Sequence, residues 1–102
     1  MAMSPRKFID VDPRTLRLPP TRPAGAVRAK LQRQIAQHGL STAGMPPVEV
    51  HECTDGELMI FDGVTRATRV AKHLPGQLIP VEIVDYYPTA GALSPSIGDT
   101  LP

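Results

Sequence analysis

Hydrophobic and polar positions alternate over Lys7–Val11 (KFIDV) and again over Pro47–Glu52 (PVEVHE), where Val48 and Val50 share one side and Glu49 and His51 the other. Alternation with period two predicts strands. Between these stretches the period changes. Val27, Leu31 and Ile35 recur every four residues, which predicts a helix from Gly25 to His38 with Arg28, Lys30, Arg33 and Gln37 on its remaining surface. Gly39 is a natural stop for it, and Leu40 is placed to fold back on its last turn. Four prolines in residues 12–25 (DPRTLRLPPTRPAG) forbid a long helix there, so an Arg-rich extended loop is expected.

The second half reads the same way. Two β-prone runs flank Asp55-Gly56, which predicts a hairpin. Its return run, Leu58–Phe61, is apolar without a break and predicts a central strand covered on both faces. Val64, Ala67, Val70, Ala71 and Leu74 then mark the inner face of a helix over residues 64–74, with Arg66, Arg69 and His73 on another face. Ile79, Val81 and Ile83 alternate in a last strand. Residues 88–102 are rich in Pro, Gly and Ser; they are expected as a tail, docked through Leu93, Ile97 and Leu101 or loose. The order β-α-β-β-α-β defines a small α+β fold, with helices packed against a short sheet.

Composition narrows the class. A chain of 102 residues suits one small domain, and four aromatics without Trp imply an aliphatic core. One cysteine, Cys53, excludes an internal disulfide and a thiolate zinc site; its place in a strand suggests packing rather than nucleophilic chemistry. No run approaches the roughly 20 apolar residues of a membrane span, and residues 1–20 lack a signal-peptide layout. No membrane partner is expected. Net charge is only +1, yet eight Lys/Arg and two acids fall in residues 1–33, against three and eight in the remainder. That split is read either as a basic binding face or as charges that solvate an interleaved surface.

One stretch carries candidate chemistry. In Asp62-Gly63-Val64-Thr65-Arg66 a strand passes at once into a helix, whose first turns bear Arg66 and Arg69. Cations there oppose the positive end of the helix dipole. A bound phosphate resolves the conflict: free backbone amides hold it, Gly63 lets it approach, Thr65 adds a hydroxyl, Arg66 forms a forked contact, and Arg69 and Arg22 extend the positive field. The simpler alternative is that Asp62 caps the helix while Arg66 and Arg69 pair with Glu52, Glu57 or Asp85. For catalysis, Asp62 is the candidate base or metal ligand, with Asp10 or Asp12 as a second carboxylate and His51 or His73 as proton carriers. No Ser-His-Asp order, phosphate-binding Gly-rich loop or metal-ligand run occurs.

Three stretches in order resemble the ParB N-terminal/sulfiredoxin superfamily over about residues 8–86: IDVDPRTLRLPPTR, LQRQIAQHGLSTAGMPPVEVHE, and ELMIFDGVTRATRVAKHL with IPVEIVD. The resemblance implies a ParB/sulfiredoxin-like domain with a short mixed sheet and two main helices over residues 1–87. It also implies binding of nucleotide or nucleic-acid phosphates at the Asp62–Arg66 turn. The branches differ from this chain at one position. Sulfiredoxins have Gly-Cys-His-Arg and plasmid-partition members Gly-Glu-Arg-Arg where this chain has Gly63-Val64-Thr65-Arg66. Val64 therefore argues against sulfinic-acid repair and against metal-linked CTP binding. Free-serine kinases have Asp-Gly-His-His-Arg, of which Asp62, Gly63 and Arg66 remain. The stretch from Gly63 to Asp85, with IGDTLP, also resembles the C-terminal module of some bacterial polymorphic toxins.

Three functions stay open at this level. One is a nuclease or nucleotidase using Asp62 and Arg66, with Mg or Mn as its metal, acting in the cytoplasm or delivered as a toxin. The second is a non-catalytic DNA- or nucleotide-binding module gripping phosphate through Gly63, Thr65, Arg66, Arg69 and Arg22. The third is a module that recruits a protein partner.

Overall fold

The computed structural model describes residues 7–22, 25–39 and 42–101. The expected fold-back of Leu40, and Arg6 of the basic segment, lie outside the described residues. The elements are β1 (Lys7–Val11), α1 (Arg28–His38), β2 (Val48–Cys53), β3 (Leu58–Asp62), α2 (Val64–His73), β4 (Ile79–Tyr87) and α3 (Ile97–Thr100), with short 3-10 turns at Pro13–Thr15 and Gly91–Leu93. The protein is a small α+β domain with a four-stranded mixed sheet and two main helices.

The sheet order is β1-β4-β2-β3. β2 and β3 form the expected antiparallel hairpin, β1 lies antiparallel to β4, and β2 runs parallel to β4. Parallel neighbours need a crossover, and α2 is the helical part of it. This pairing corrects the reading of Leu58–Phe61 as a central strand: β4 and β2 are central and β3 stands outside them. The expected cover on both faces is present at two successive positions, since Met59 and Ile60 point to opposite sides and are both buried. Register shifts between Glu49 and Val50, so Phe61 is an extra residue on β3. Phe61, at this bulge, is exposed.

The core is aliphatic, as the composition implied. Val48, Val50, Ile60, Ile79 and Val81 from the sheet meet Ala67, Val70 and Ala71 from α2. Leu16, Leu18 and Ile97 complete it. Phe8, Phe61 and Tyr86 are all exposed instead. The residues after Pro88 do more than trail. Ile97 is fully buried, its N–H bonds Leu16 O at 2.9 Å, and Leu101 packs against the core, whereas Leu93 is 80% exposed. Arg17 bridges both Met59 and Ser96, so two short segments extend the sheet past β3.

The two helices are anchored differently. α2 buries Ala67 to Ala71 without interruption, including Thr68 and Arg69. On α1 only Leu31 is buried; Ile35 is half-buried, and Val27, expected inward, is exposed because it forms the N-cap.

Candidate functional site

β3 hands over to α2 at Gly63, whose φ of 116° and ψ of 22° place it in the left-handed region. A residue with a Cβ is strained there. Space is also lacking: a Cβ would lie 2.9 Å from Arg66 Nη2 and 3.1 and 3.2 Å from the two Cγ atoms of Val48. Gly63 thus lets the chain turn and lets Arg66 fold across it. Gly63 is the N-cap and no side chain caps α2, which corrects the reading of Asp62 as the cap. The opening amides of a helix have no intrahelical acceptors, so they remain available to an anion.

Arg66 is held without being neutralised. Its Nη2 donates to Pro47 O at 3.3 Å and lies 3.8 Å from Asp62 Oδ2. Its Nε is buried with no partner among the described residues. The Asp62 side chain is mostly exposed, so that contact is weak.

A cavity of about 400 Å³ opens on this turn. Its floor is Asp62 to Arg66. One wall is the Pro19–Arg22 turn, closed by Arg22 N–H bonding Pro19 O at 2.9 Å, and the other is the Lys30 and Gln34 face of α1. Arg22, Lys30 and Arg66 line it against one carboxylate, Asp62. The structure therefore brings together Arg22, Asp62, Gly63, Thr65 and Arg66 from the sequence-derived set. It adds Thr21, Lys30, Gln34 and Phe61. Lys30 and Gln34 carried a signal in their spacing, since residues four apart share a helix face. Lys30, expected only on the helix surface left over by Val27, Leu31 and Ile35, lines the cavity together with Gln34.

Arg69 is placed elsewhere. It is 2% exposed and lies behind the site, in a second cavity of about 70 Å³ lined also by His38, Met45, Gln34 and Arg66. Its Nη2 donates to Met45 Sδ at 3.2 Å, while its Nε and Nη1 are buried and have no partner among the described residues. Thioether sulfur is a weak acceptor for a charged donor. Gln34, whose Oε1 is also buried without a partner among the described residues, lines both cavities beside Arg66.

The other candidates fall apart from the cavity. Asp12 accepts from Arg14 N–H at 3.0 Å and caps a 3-10 turn. Asp10 lies on β1, the strand at the opposite edge from β3. Arg17 pairs with Glu57 at 2.6 Å and donates to Ser94 O, so this part of the basic segment is structural. Glu57 is thereby paired with Arg17 rather than with Arg66 or Arg69. Burial, and then nearby Asp55, push the Cys53 thiol up, as suits a packed strand residue. His51 stacks on Phe61, with ring centroids 4.9 Å apart and planes 22° apart. No group of three or more His, Cys, Asp or Glu suited to a metal ion forms among the described residues. No helix there is long and apolar enough to cross a membrane.

Compared with models of known protein families, the chain matches none, and no curated protein aligns with it significantly.

Proposed function

We propose that this domain binds the phosphate groups of a nucleotide or nucleic acid at the Asp62–Arg66 turn, in the manner its resemblance to ParB/sulfiredoxin-like domains implies. One observation carries the reading. An open cavity at an uncapped helix start holds three cationic side chains from three separate segments, against a single exposed carboxylate. Convergence of cations without matching acids is costly unless an anion is bound. Arg66 supplies the forked contact, the first amides of α2 and Thr65 the neutral donors, and Arg22 and Lys30 close over the top.

The hydrolytic form of the reading gives Asp62 the task of orienting a water toward phosphorus and taking its proton as the ester or anhydride oxygen leaves. Asp62 is the one carboxylate lining the cavity. Magnesium or manganese would need ligand phosphates and waters to complete its shell there.

The test is thermal denaturation of the purified protein with inorganic phosphate, a nucleoside triphosphate and a single-stranded oligonucleotide, with and without Mg²⁺. A ligand-dependent rise in Tm is expected, since binding to the folded state alone stabilises it. It should weaken about tenfold or more in concentration dependence for Arg66→Ala, and shrink with added salt. If no phosphate-bearing ligand shifts Tm, the reading fails and a protein-recruiting module takes its place. Product release in the same mixtures separates hydrolysis from binding alone.

A further inference from the structure

Phe61 has no role in gripping phosphate, yet it stands at the edge of the same cavity. It is 61% exposed, while the core has been built from aliphatic side chains. It is also the extra residue of the β3 bulge, which sits directly before Asp62. Bulges re-aim side chains, and are frequent beside active sites. The ring is backed as well as exposed: His51 stacks against it, and Tyr87 follows at 6.3 Å from His51. A large apolar side chain held out of the core, stiffened from behind and facing a polar cavity is a platform for a flat apolar partner.

We infer that Phe61 is the base-stacking residue of the site, and that the ligand is a mononucleotide carrying its phosphates at the Gly63–Arg66 turn. The inference rests on the phosphate-binding reading above. Stacking is tolerant of base identity because every base presents a π-face. The alternative of a longer strand running on across His51 and Tyr87 meets the wrong charge. Glu49 lies on the sheet face opposite buried Val48 and Val50, and Asp85 pairs in register with His51. Carboxylates along that path repel a phosphodiester chain, whereas the cations are gathered on the cavity side of Phe61. One base and its own phosphates fit this distribution; a continuous backbone does not.

The experiment compares a nucleoside triphosphate, inorganic tripolyphosphate and a short single-stranded oligonucleotide on the wild type, Phe61→Ala and Phe61→Trp. Phe61 is exposed, so its replacement leaves the core intact. Phe61→Ala should weaken the nucleoside triphosphate about tenfold and leave tripolyphosphate unchanged. Phe61→Trp should restore nucleotide affinity. The chain has no other Trp, so its fluorescence reports the ring directly: nucleotide should quench it and tripolyphosphate should not. Equal effects of Phe61→Ala on both ligands, or an unquenched Trp in the saturated complex, overturn the stacking role. An oligonucleotide that outcompetes the mononucleotide overturns the choice of ligand. Failure of tripolyphosphate and nucleotide alike to bind any of the three proteins overturns the phosphate site itself, a distinct result.

Discussion

α1 and α2 are nearly equal in length, eleven and ten residues, and face each other across the candidate site. They are built to opposite ends. α2 is clamped: five consecutive residues are buried, and its first turn is fixed by a glycine that admits no substitute. α1 is tethered by Leu31; neither helix has a capping side chain or an acid in its first turn, so packing alone makes the difference. Helices gain most of their stability from a packed apolar face, and α1 has little of one. The difference separates positioning from approach. Groups that must be precise, the α2 amides and Arg66, sit on the clamped helix. Lys30 and Gln34, which line the cavity from the other side, sit on the helix that can yield. Ligand binding should therefore order α1 more than α2, and hydrogen exchange would show protection rising mainly over residues 28–38.

Substitutions can break this contrast. The largest effect is expected from Gly63→Ala. Backbone strain of about 1–3 kcal/mol adds to the contacts with Val48 and Arg66, and phosphate affinity should fall with stability because Arg66 is displaced. An alanine variant as stable as the wild type, measured by denaturant unfolding, would remove the clamp from the account. Leu31→Ala comes next, at about 2 kcal/mol, the lower end of its class because the site lies at the rim of the fold. Its signature is selective: protection lost from α1, with α2 unchanged. Arg69→Leu should act in the opposite direction. Removing a buried guanidinium with two nitrogens that lack partners among the described residues should stabilise the protein by about 1–3 kcal/mol. A loss of stability would mean that Arg69 is satisfied by an anion or water in the cavity behind Arg66.

The smallest effect is a control remote from both helices. Asp55 Oδ atoms accept from the N–H groups of Ala92, Gly91 and Glu57, at 3.0, 3.0 and 3.1 Å. Led by the Ala92 bond, these hold its carboxyl below the usual range. The unfolded chain then takes up the proton at higher pH than the folded one. The contribution is present above the unfolded pKa and is lost as pH falls through the folded one. Asp55→Asn should flatten that acid limb of the Tm–pH curve slightly and leave phosphate affinity unchanged.

Periodicity carried the order of elements well, because the strands and α2 obey it. The β2–β3 hairpin, the α2 face of Ala67, Val70 and Ala71, and the start of α2 at Gly63 were all legible. Features that break period were not. Leu58–Phe61 reads as a central strand because Met59 and Ile60 are buried on opposite faces; its place outside β2 is set by pairing, and the bulge at Phe61 has no local signature. Arg69 looks like a surface cation; its burial arises from the loop around Met45 covering it, a tertiary event without a local signature. At the site, Asp62, Gly63, Thr65 and Arg66 could be read together because they are contiguous. Arg22 followed from its Arg-rich loop. Lys30 and Gln34 depend on which way α1 faces, and a helix with one buried anchor states that poorly.

Ile97 has a consequence for how the molecule comes into being. Its burial against Leu16 joins segments some eighty positions apart, and the strip through Arg17 and Ser96 fastens beside it. Contacts so distant along the chain form late, after the entropy of a long loop has been surrendered. A polypeptide leaving the ribosome can assemble the hairpin and its flanking helix early, but its interior stays open until the Ile97 segment has emerged. Folding of this domain should thus finish in one late step, and a nascent chain stalled before that point should be readily cut by protease.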